Sequence, residues 1–97
     1  LVAEVDSMVC GSLMITYEWS DWRNGLFWWI QSVYVEPVAR RNGVFTALYQ
    51  YVKQMAHHDD TACGLRLYME QDNMPARAVY MAMGMEKTPY QVFEDLL

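Results

Sequence analysis

The sequence predicts an α/β (α+β) domain with a mixed, mostly antiparallel sheet. The first third is rich in β-branched and aromatic residues and contains one strong hairpin signal, Asn24-Gly25. An apolar repeat with helical spacing follows, and an alternating apolar pattern typical of a strand comes after it. Because two strands joined through a helix run in the same direction, this order predicts one parallel pair in the sheet.

Composition sets the size of the fold and the class of partner. The 97 residues are 54% hydrophobic and 20% charged, which indicates one globular domain over residues 1–97. The net charge of −5 has the wrong sign for neutralising phosphate backbones, so nucleic acid is not expected as a partner. The apolar runs, such as residues 26–30, are far shorter than the ~20 residues of a membrane span, so no membrane partner is expected.

The cysteines predict neither a disulfide framework nor a structural metal site. Cys10 and Cys63 lie far apart, without a Cys-x-x-Cys pair or histidines at zinc-finger spacing. Free thiols are typical of a reducing compartment, so we expect a cytoplasmic protein that holds no metal.

The elements before the helix are three strands. Residues 2–19 are predicted to form two strands joined by a tight turn near Asp6, and Asn24-Gly25 favours a hairpin loop because both residues readily adopt positive φ. Residues 26–35 are almost continuously large or branched, which is typical of a central strand covered on both faces. Pro37 ends this strand because proline cannot donate to the ladder.

Two helices and two further strands complete the prediction. The first helix ends at His57-His58, whose charge favours the negative end of a helix, although with Asp59-Asp60 they also suit a metal. A strand is predicted over residues 65–70 and a last strand over residues 90–94. The predicted core face of the first helix is Val44, Ala47, Leu48, Tyr51, Val52 and Met55. The second helix is predicted to start at Asp72-Asn73-Met74-Pro75, to stop at Gly84 and to carry the apolar stripe Ala76, Val79, Tyr80 and Met83.

The loop between the long strand and the first helix is basic and contains a glycine. Arg40 and Arg41 add positive charge, and Gly43 permits unusual φ values and a close backbone approach. Free N–H groups at a helix N-terminus bind anions. The junction therefore indicates a site for a phosphorylated ligand, with an ordinary solvated loop as the alternative interpretation.

Two segments resemble those of the GNAT superfamily of N-acetyltransferases. Arg40-Arg41-Asn42-Gly43-Val44-Phe45, after a Val-x-Val-x-Pro strand end, resembles the acetyl-CoA loop, whose pattern is Gln/Arg-x-x-Gly-x-Gly/Ala. Arg40 and Gly43 match this pattern, whereas Phe45 replaces the usual small residue. The stretch from Asn73 through Tyr80 to Gly84-Met85 resembles the second cofactor segment of the family.

The resemblance extends over nearly the whole chain and implies a GNAT-like sheet with a central, splayed parallel pair flanked by helices. Relative to the family, the chain starts at what resembles the second strand, without the strand and helices that wall the acceptor site. We therefore expect a GNAT-like domain over residues 1–97 that is truncated at its N-terminus. A sheet edge left uncovered in this way predicts a homodimer, in which a second copy covers the edge, with exchanged strands as one possible arrangement.

The resemblance implies acetyl-CoA as the co-substrate. The backbone of the Val-Tyr-Val strand end would pair with the pantetheine arm, and loop amides would hold the diphosphate. Tyr80 would protonate the departing thiolate, although a tyrosine in an apolar stripe is more usually a core residue. The implied cofactor-binding residues are Val33, Tyr34, Val35, Arg40, Arg41, Asn42, Gly43, Val44, Phe45, Thr46 and Asn73.

The implied function is transfer of an acetyl group to a primary amine, carried by a small molecule or a peptide, by direct attack within a ternary complex. The amine must first lose a proton, and no residue is an obvious base. Gln31 and Ser32 could position a water, and Glu18 and Asp21 are the carboxylates considered as bases. The alternatives are a non-catalytic acyl-CoA-binding or dimerisation module and a purely structural protein.

The four tryptophans admit two interpretations. They could form an aromatic wall that attracts a cationic amine. They could instead fill the core and pair across the hairpin. The residues concerned are Trp19, Trp22, Trp28 and Trp29.

Overall fold

The structure is a computed structural model that describes residues 1–5, 8–36 and 43–97. These residues form a four-stranded sheet and two helices, which confirms the predicted fold class. The elements are β1 (Val2–Val5), β2 (Met8–Ser20), β3 (Gly25–Val35), α1 (Val44–His57), β4 (Ala62–Arg66) and α2 (Met74–Ala82). None of the described residues belongs to a helix that is long and apolar enough to cross a membrane.

The strands follow the order β1-β2-β3-β4 across the sheet. The first two pairings are antiparallel, and β3 pairs with β4 in parallel, as the predicted crossover through α1 requires. The predicted central position of the parallel pair depended on a last strand over residues 90–94. That strand is absent, and Phe93 is 90% exposed. Among the described residues, β4 is thus an edge strand, because residues 90–94 have no backbone partner with which to form a ladder.

The hairpin between β2 and β3 is placed where the sequence predicts it. Asn24 adopts the left-handed conformation with φ 49°, as predicted, but Gly25 does not, because it pairs with Ser20 as the first residue of β3 rather than belonging to the loop. The turn predicted near Asp6 lies outside the described residues. The predicted strand over residues 65–70 starts and ends too late, since β4 begins at Ala62, opposite Leu26 of β3, and ends at Arg66.

The beginning of β3 is covered on both faces, and its end is not. Phe27, Trp28 and Ile30 are buried, as predicted for a central strand, whereas residues 32–34 are exposed. The prediction is therefore wrong for the end of β3, because its pairing with β4 stops at Trp29. The core formed by α1, β2 and β3 consists of Leu13, Trp28, Ile30, Val44, Leu48, Tyr49 and Val52.

The buried face of α1 is rotated relative to the predicted one. Val44, Leu48 and Val52 are buried as predicted, but Tyr51 is 54% exposed and Tyr49 is buried in its place. Ala47 and Met55 are exposed as well, so these predictions are also wrong. The helix rests on the sheet along the side that carries residues 44, 48, 49 and 52, which places the opposite flank in solvent. The helix ends at His57, as predicted.

Gly11 sets the distance between α1 and the sheet. A Cβ atom at this position would lie 2.7 Å from Cγ1 of Val44 and 3.1 Å from the carbonyl oxygen of Tyr34. Both distances are too short for ordinary contact, and one of the partners is backbone. The absence of a side chain at Gly11 therefore allows the first turn of α1 to pack directly on β2.

We expect Gly11→Ala to lower the free energy of unfolding by about 1–3 kcal/mol, because the added methyl must displace Val44 or the β3 backbone. Chemical denaturation followed by tryptophan fluorescence measures this change. Met14→Ala is the matched control, because the exposed Met14 side chain belongs to the same strand and its change should stay within about 0.5 kcal/mol. Equal stability of Gly11→Ala and the unaltered protein would contradict this account of the packing.

Candidate cofactor site

The parallel strands β3 and β4 part beyond their shared segment. Their pairing runs from Leu26 opposite Ala62 to Trp29 opposite Arg66, where β4 ends. β3 continues to Val35. A gap therefore opens at the carboxyl ends of two neighbouring parallel strands, which is where ligands commonly bind in α/β sheets.

A β-bulge accompanies this separation. Ser12 pairs with Tyr34 and Met14 pairs with Gln31, so β3 has one more residue than β2 between these pairs. Ser32 lies in the bulge and has φ 50°, a left-handed conformation that is uncommon for a residue other than glycine. Because a bulge bends a strand and increases its twist, the end of β3 is directed differently from the rest of the strand.

A cavity of about 550 Å³ lies at the end of β3. Three elements contribute to its wall: the end of β3, the first turn of α1 and the face of α2 that carries Asn73 and Tyr80. The lining residues are Val33, Tyr34, Val35, Phe45, Asn73, Ala76, Val79 and Tyr80. The part of this wall that the described residues form is largely apolar, with one amide and two phenols.

Local signals at both ends fix the short helix α2. The Asn73 side chain accepts a hydrogen bond from the Ala76 amide at 3.2 Å, which confirms the predicted cap. At the other end, the Met85 amide donates to the Tyr80 carbonyl at 3.0 Å beyond the predicted stop at Gly84. None of the nine residues of α2 is buried, so the helix is held mainly by its ends and by side-chain contacts.

Tyr80 is half-buried in the cavity wall. Its ring meets the Phe45 ring edge-on, with 5.9 Å between the centroids and 63° between the planes. Burial raises the pKa of the Tyr80 phenol above its usual value of about 10. Tyr80 is therefore protonated at neutral pH and has a proton to donate to a group in the cavity.

The N-terminus of α1 is open to an anion. Gly43 occupies the cap position with φ 77°, no side chain of the described residues caps the helix, and no acidic residue lies in its first turn. The first helical hydrogen bond runs from the Ala47 amide to the Gly43 carbonyl at 2.9 Å. The amides of residues 44–46 precede this bond and lie at the positive end of the helix dipole, beside the cavity wall that Phe45 forms.

The structure brings together six of the residues singled out in the sequence and leaves three of the described ones outside the cavity lining. Val44 is buried in the core, and Gly43 and Thr46 are exposed at the helix start outside the cavity lining. The remaining three, Arg40, Arg41 and Asn42, lie outside the described residues. The six that line the cavity are Val33, Tyr34, Val35, Phe45, Asn73 and Tyr80.

Two lining residues, Ala76 and Val79, were not predicted as site residues. The sequence places them in an apolar stripe, and none of the residues of α2 is buried. Helical spacing is the available signal, because Ala76 lies three positions after Asn73 and four before Tyr80, and Val79 lies three after Ala76. Met83, the last residue of the stripe, does pack against the core.

The candidate bases and water-positioning residues are spread along the sheet. Glu18 lies opposite Phe27 and accepts hydrogen bonds from Trp29 and Arg66 at 3.2 and 3.1 Å. Asp21 lies in the hairpin turn. The Glu18 carboxylate thus lies beside the side chains of Trp29 and Arg66, the last paired residues of β3 and β4, and neither Glu18 nor Asp21 lines the cavity.

Gln31 and Ser32 are nearer to the cavity than the carboxylates. Both immediately precede Val33, the first cavity-lining residue of β3. The Gln31 amide donates to the Thr16 hydroxyl at 3.2 Å, and Ser32 is exposed in the bulge. These two polar side chains therefore flank the point where the strands part.

The four tryptophans do not form one wall. Trp28 is buried in the core and meets Tyr17 edge-on at 5.7 Å. Trp29 stacks on Tyr68, with 4.5 Å between the centroids. Trp19 and Trp22 are exposed near the hairpin turn.

Comparison with known protein families identifies the family of this chain. Residues 1–85 match the Acetyltransferase (GNAT) family. The chain belongs to the GNAT family. No curated protein matches the sequence.

Solved structures of GNAT proteins share the fold. A possible acetyltransferase from Clostridium difficile 630 is 44% identical, with a TM-score of 0.89 over 99% of this chain and 63% of that protein. Arabidopsis thaliana Naa50, solved with the bisubstrate analogue CoA-Ac-MVNAL, is 20% identical, with a TM-score of 0.76 over 90% of this chain and 56% of that protein. AAC(6')-Iy, solved with a CoA-S-monomethyl-acetylneamine bisubstrate analogue, is 17% identical, with a TM-score of 0.82 over 99% of this chain and 67% of that protein.

At 20% and 17% identity, the likeness to the last two proteins is one of fold alone. The chain spans less than two thirds of the length of the Clostridium difficile protein.

Proposed function

We propose that this GNAT chain binds acetyl-CoA and transfers its acetyl group to a primary amine. The observation that carries the proposal is the cavity where the parted end of β3, the open N-terminus of α1 and the Tyr80 phenol meet. These three parts suit the three chemical regions of the co-substrate: an amide-containing arm, an anionic diphosphate and a thioester.

The diphosphate would lie at the N-terminus of α1. Within the described part of the chain, no side chain caps the amides of residues 44–46, and no carboxylate in the first turn competes for the positive end of the dipole. Gly43 borders open space, since no atom of the described residues would lie within 4 Å of a Cβ at this position. Arg40, Arg41 and Asn42 would add contacts from the preceding loop.

The pantetheine arm would run along the end of β3. Beyond Trp29 this strand has no β4 residue beside it, so an extended amide chain can be added at that edge. Val33 and Tyr34 line the cavity on this side, and Asn73 and Val79 face them from α2. The arm would therefore occupy the gap between the strands.

Tyr80 would act as the general acid. The protonated amine first loses a proton through water positioned by Gln31 and Ser32. Its nitrogen then attacks the thioester carbonyl carbon, the C–N bond forms, and the C–S bond breaks. The departing thiolate takes the Tyr80 proton, and the second proton, lost by the acetylated nitrogen, returns through water to the Tyr80 oxygen. Because the raised pKa keeps Tyr80 protonated, this step stays available until the pH rises through that pKa.

The acceptor would be a small-molecule or peptide amine. The relatives solved with bisubstrate analogues carry either a peptide or an aminoglycoside-like acceptor, which supports an amine as the class. Soluble amines and acetyl-CoA, together with an exposed free Cys63, fit a cytoplasmic protein. A non-catalytic acyl-CoA-binding module is the second candidate, because none of the described residues that line the cavity is a carboxylate or a histidine that could act as the base.

We propose that a second copy of the chain covers the outer edge of β4. Among the described residues no strand pairs with that edge, and the exposed apolar residues Val92 and Phe93 follow later in the chain. Unpaired strand edges and exposed apolar segments are the surfaces that homodimers commonly bury.

Tyr80→Phe tests the general acid. We expect kcat to fall about 10- to 100-fold, because the thiolate must leave unprotonated, while acetyl-CoA affinity changes less than about 3-fold. Release of free CoA thiol measures turnover, and calorimetric titration measures affinity. Tyr90→Phe is the control, since Tyr90 is exposed and lies outside the cavity lining.

Unchanged turnover in Tyr80→Phe would remove Tyr80 from the mechanism. Acetyl-CoA binding by the unaltered chain without transfer to any amine would favour the binding module instead. Absence of acetyl-CoA binding would reject both candidates.

Gly43→Ala tests the anion site at α1. We expect acetyl-CoA affinity to fall about 10-fold, because the methyl occupies the space through which the diphosphate approaches the amides. Gly84→Ala is a closely matched control: Gly84 also has positive φ, 91°, with nothing within 4 Å of its added Cβ, and it lies outside the cavity lining.

Both variants carry the same kind of backbone strain, so their thermal stabilities should fall similarly. Equal acetyl-CoA affinity for the two would place the diphosphate elsewhere.

Phe93→Asp tests the dimer. We expect the unaltered protein to sediment as a dimer and Phe93→Asp to shift it toward monomer, because a buried carboxylate disfavours the interface. Trp22→Asp is the control with the same added charge, placed at an equally exposed position in the hairpin turn. A monomeric unaltered protein at micromolar concentration would contradict the proposal.

A further inference from the structure

We propose that Phe45 is a positioning residue that holds the Tyr80 phenol in its reactive orientation. This inference rests on the proposed function, in which Tyr80 is the general acid. It concerns a residue at which this chain departs from the Gln/Arg-x-x-Gly-x-Gly/Ala pattern, where a glycine or alanine would stand.

Three aromatic rings connect Tyr80 to the core. Tyr49 is buried in the core cluster, and its ring lies 6.4 Å from that of Phe45, the second residue of α1. Phe45 in turn meets Tyr80 edge-on at 5.9 Å. One end of this row is thus fixed in the core, and the other end is the phenol in the cavity wall. Edge-on aromatic pairs prefer defined ring geometries, so the row restricts how the Tyr80 ring can turn.

The helix that carries Tyr80 does not restrict the ring by itself. None of the α2 residues is buried, and the helix is nine residues long. A half-buried tyrosine on such a helix samples several rotamers unless a neighbouring side chain packs against it. Among the described residues, the Tyr80 ring contacts the Phe45 ring. A glycine or alanine at position 45 would leave that side of the phenol without a packed ring.

Phe45 also contributes to the apolar surroundings of the phenol. Among the described residues that line the cavity, none has a charged side chain, and the other titratable group is Tyr34 of β3. Asn73 of α2 supplies the one amide side chain, and the first turn of α1 supplies Phe45. Desolvation, rather than a neighbouring charge, is the cause of the raised Tyr80 pKa. Loss of the Phe45 ring should therefore admit water and lower that pKa toward about 10.

A double-mutant cycle separates a role through Tyr80 from a direct role. The variants are Phe45→Leu, Tyr80→Phe and the double variant, because leucine keeps an apolar side chain for folding and removes the ring. We expect Phe45→Leu to reduce kcat about 5-fold or more, with acetyl-CoA affinity within about 3-fold. In the Tyr80→Phe background, Phe45→Leu should reduce kcat less than about 2-fold, because the phenol hydroxyl that Phe45 positions is already absent.

The titration of Tyr80 gives a second readout that needs no turnover. In protein labelled with ¹³C at the tyrosine phenol carbon, NMR follows the ionisation of Tyr80, assigned by its loss in Tyr80→Phe. We expect Phe45→Leu and Phe45→Ala to shift the titration midpoint of Tyr80 to lower pH. Phe93→Leu is the matched control, because Phe93 is exposed and makes no ring contact among the described residues.

An equal loss of kcat in both backgrounds would overturn the inference, since Phe45 would then act independently of Tyr80. An unshifted Tyr80 midpoint in both Phe45 variants would overturn it as well. If the unaltered chain transfers no acetyl group, the proposed function fails, and the NMR titration still decides whether Phe45 controls the Tyr80 phenol.

Discussion

The packing of α1 on the sheet determines the rest of the structure. At Gly11 the missing side chain lets the first turn of the helix rest on β2, and Val44 and Leu48 fill the space directly above it. Because the helix returns the chain to the same end of the sheet, β4 must pair with β3 in parallel. The N-terminus of α1, the end of β3 and α2 consequently surround one cavity.

The face of the sheet that carries the Arg66 side chain is stabilised differently from the face on which α1 packs. The Arg66 guanidinium lies 3.5 Å from the centroid of the Phe27 ring and pairs with Glu18 at 3.1 Å. An ion pair this exposed contributes only about 0–1 kcal/mol to the free energy of unfolding. The Arg66 guanidinium therefore stabilises this face mainly by covering Phe27, which is 7% exposed. On this face, aromatic and cationic side chains thus shield the sheet from solvent, as α1 does on the opposite face.

Features encoded by short local signals could be predicted from the sequence. Asn24 in the hairpin, Asn73 at the start of α2 and Gly84 at its end are each recognisable because one residue type satisfies one backbone requirement. The bulge at Ser32 has no such signal, since a bulge depends on the register between two strands.

Features that depend on tertiary contacts were predicted less well. The buried arc of α1 includes Tyr49 rather than Tyr51, because the position of the sheet, and not the apolar repeat, decides which flank is covered. Ala76 and Val79 look like core residues in the sequence, and only their placement on an unburied helix makes them a cavity wall. Residues 90–94 have strand-like composition, but a strand also needs a partner, which the sequence pattern does not supply.

The bulge in β3 makes the length of this strand a constraint on sequence change. Because Tyr34 pairs with Ser12 and Gln31 pairs with Met14, the extra residue places Gln31 and Tyr34 on the same face although three positions separate them. Loss of one residue near Ser32 would restore an uninterrupted ladder with β2 and remove the bend, and with it the direction that the end of β3 takes at the cavity. Substitutions at the end of β3 are therefore more readily tolerated than single-residue insertions or deletions, and an evolving lineage of this protein should conserve the spacing between Gln31 and Tyr34 more strictly than the residues themselves.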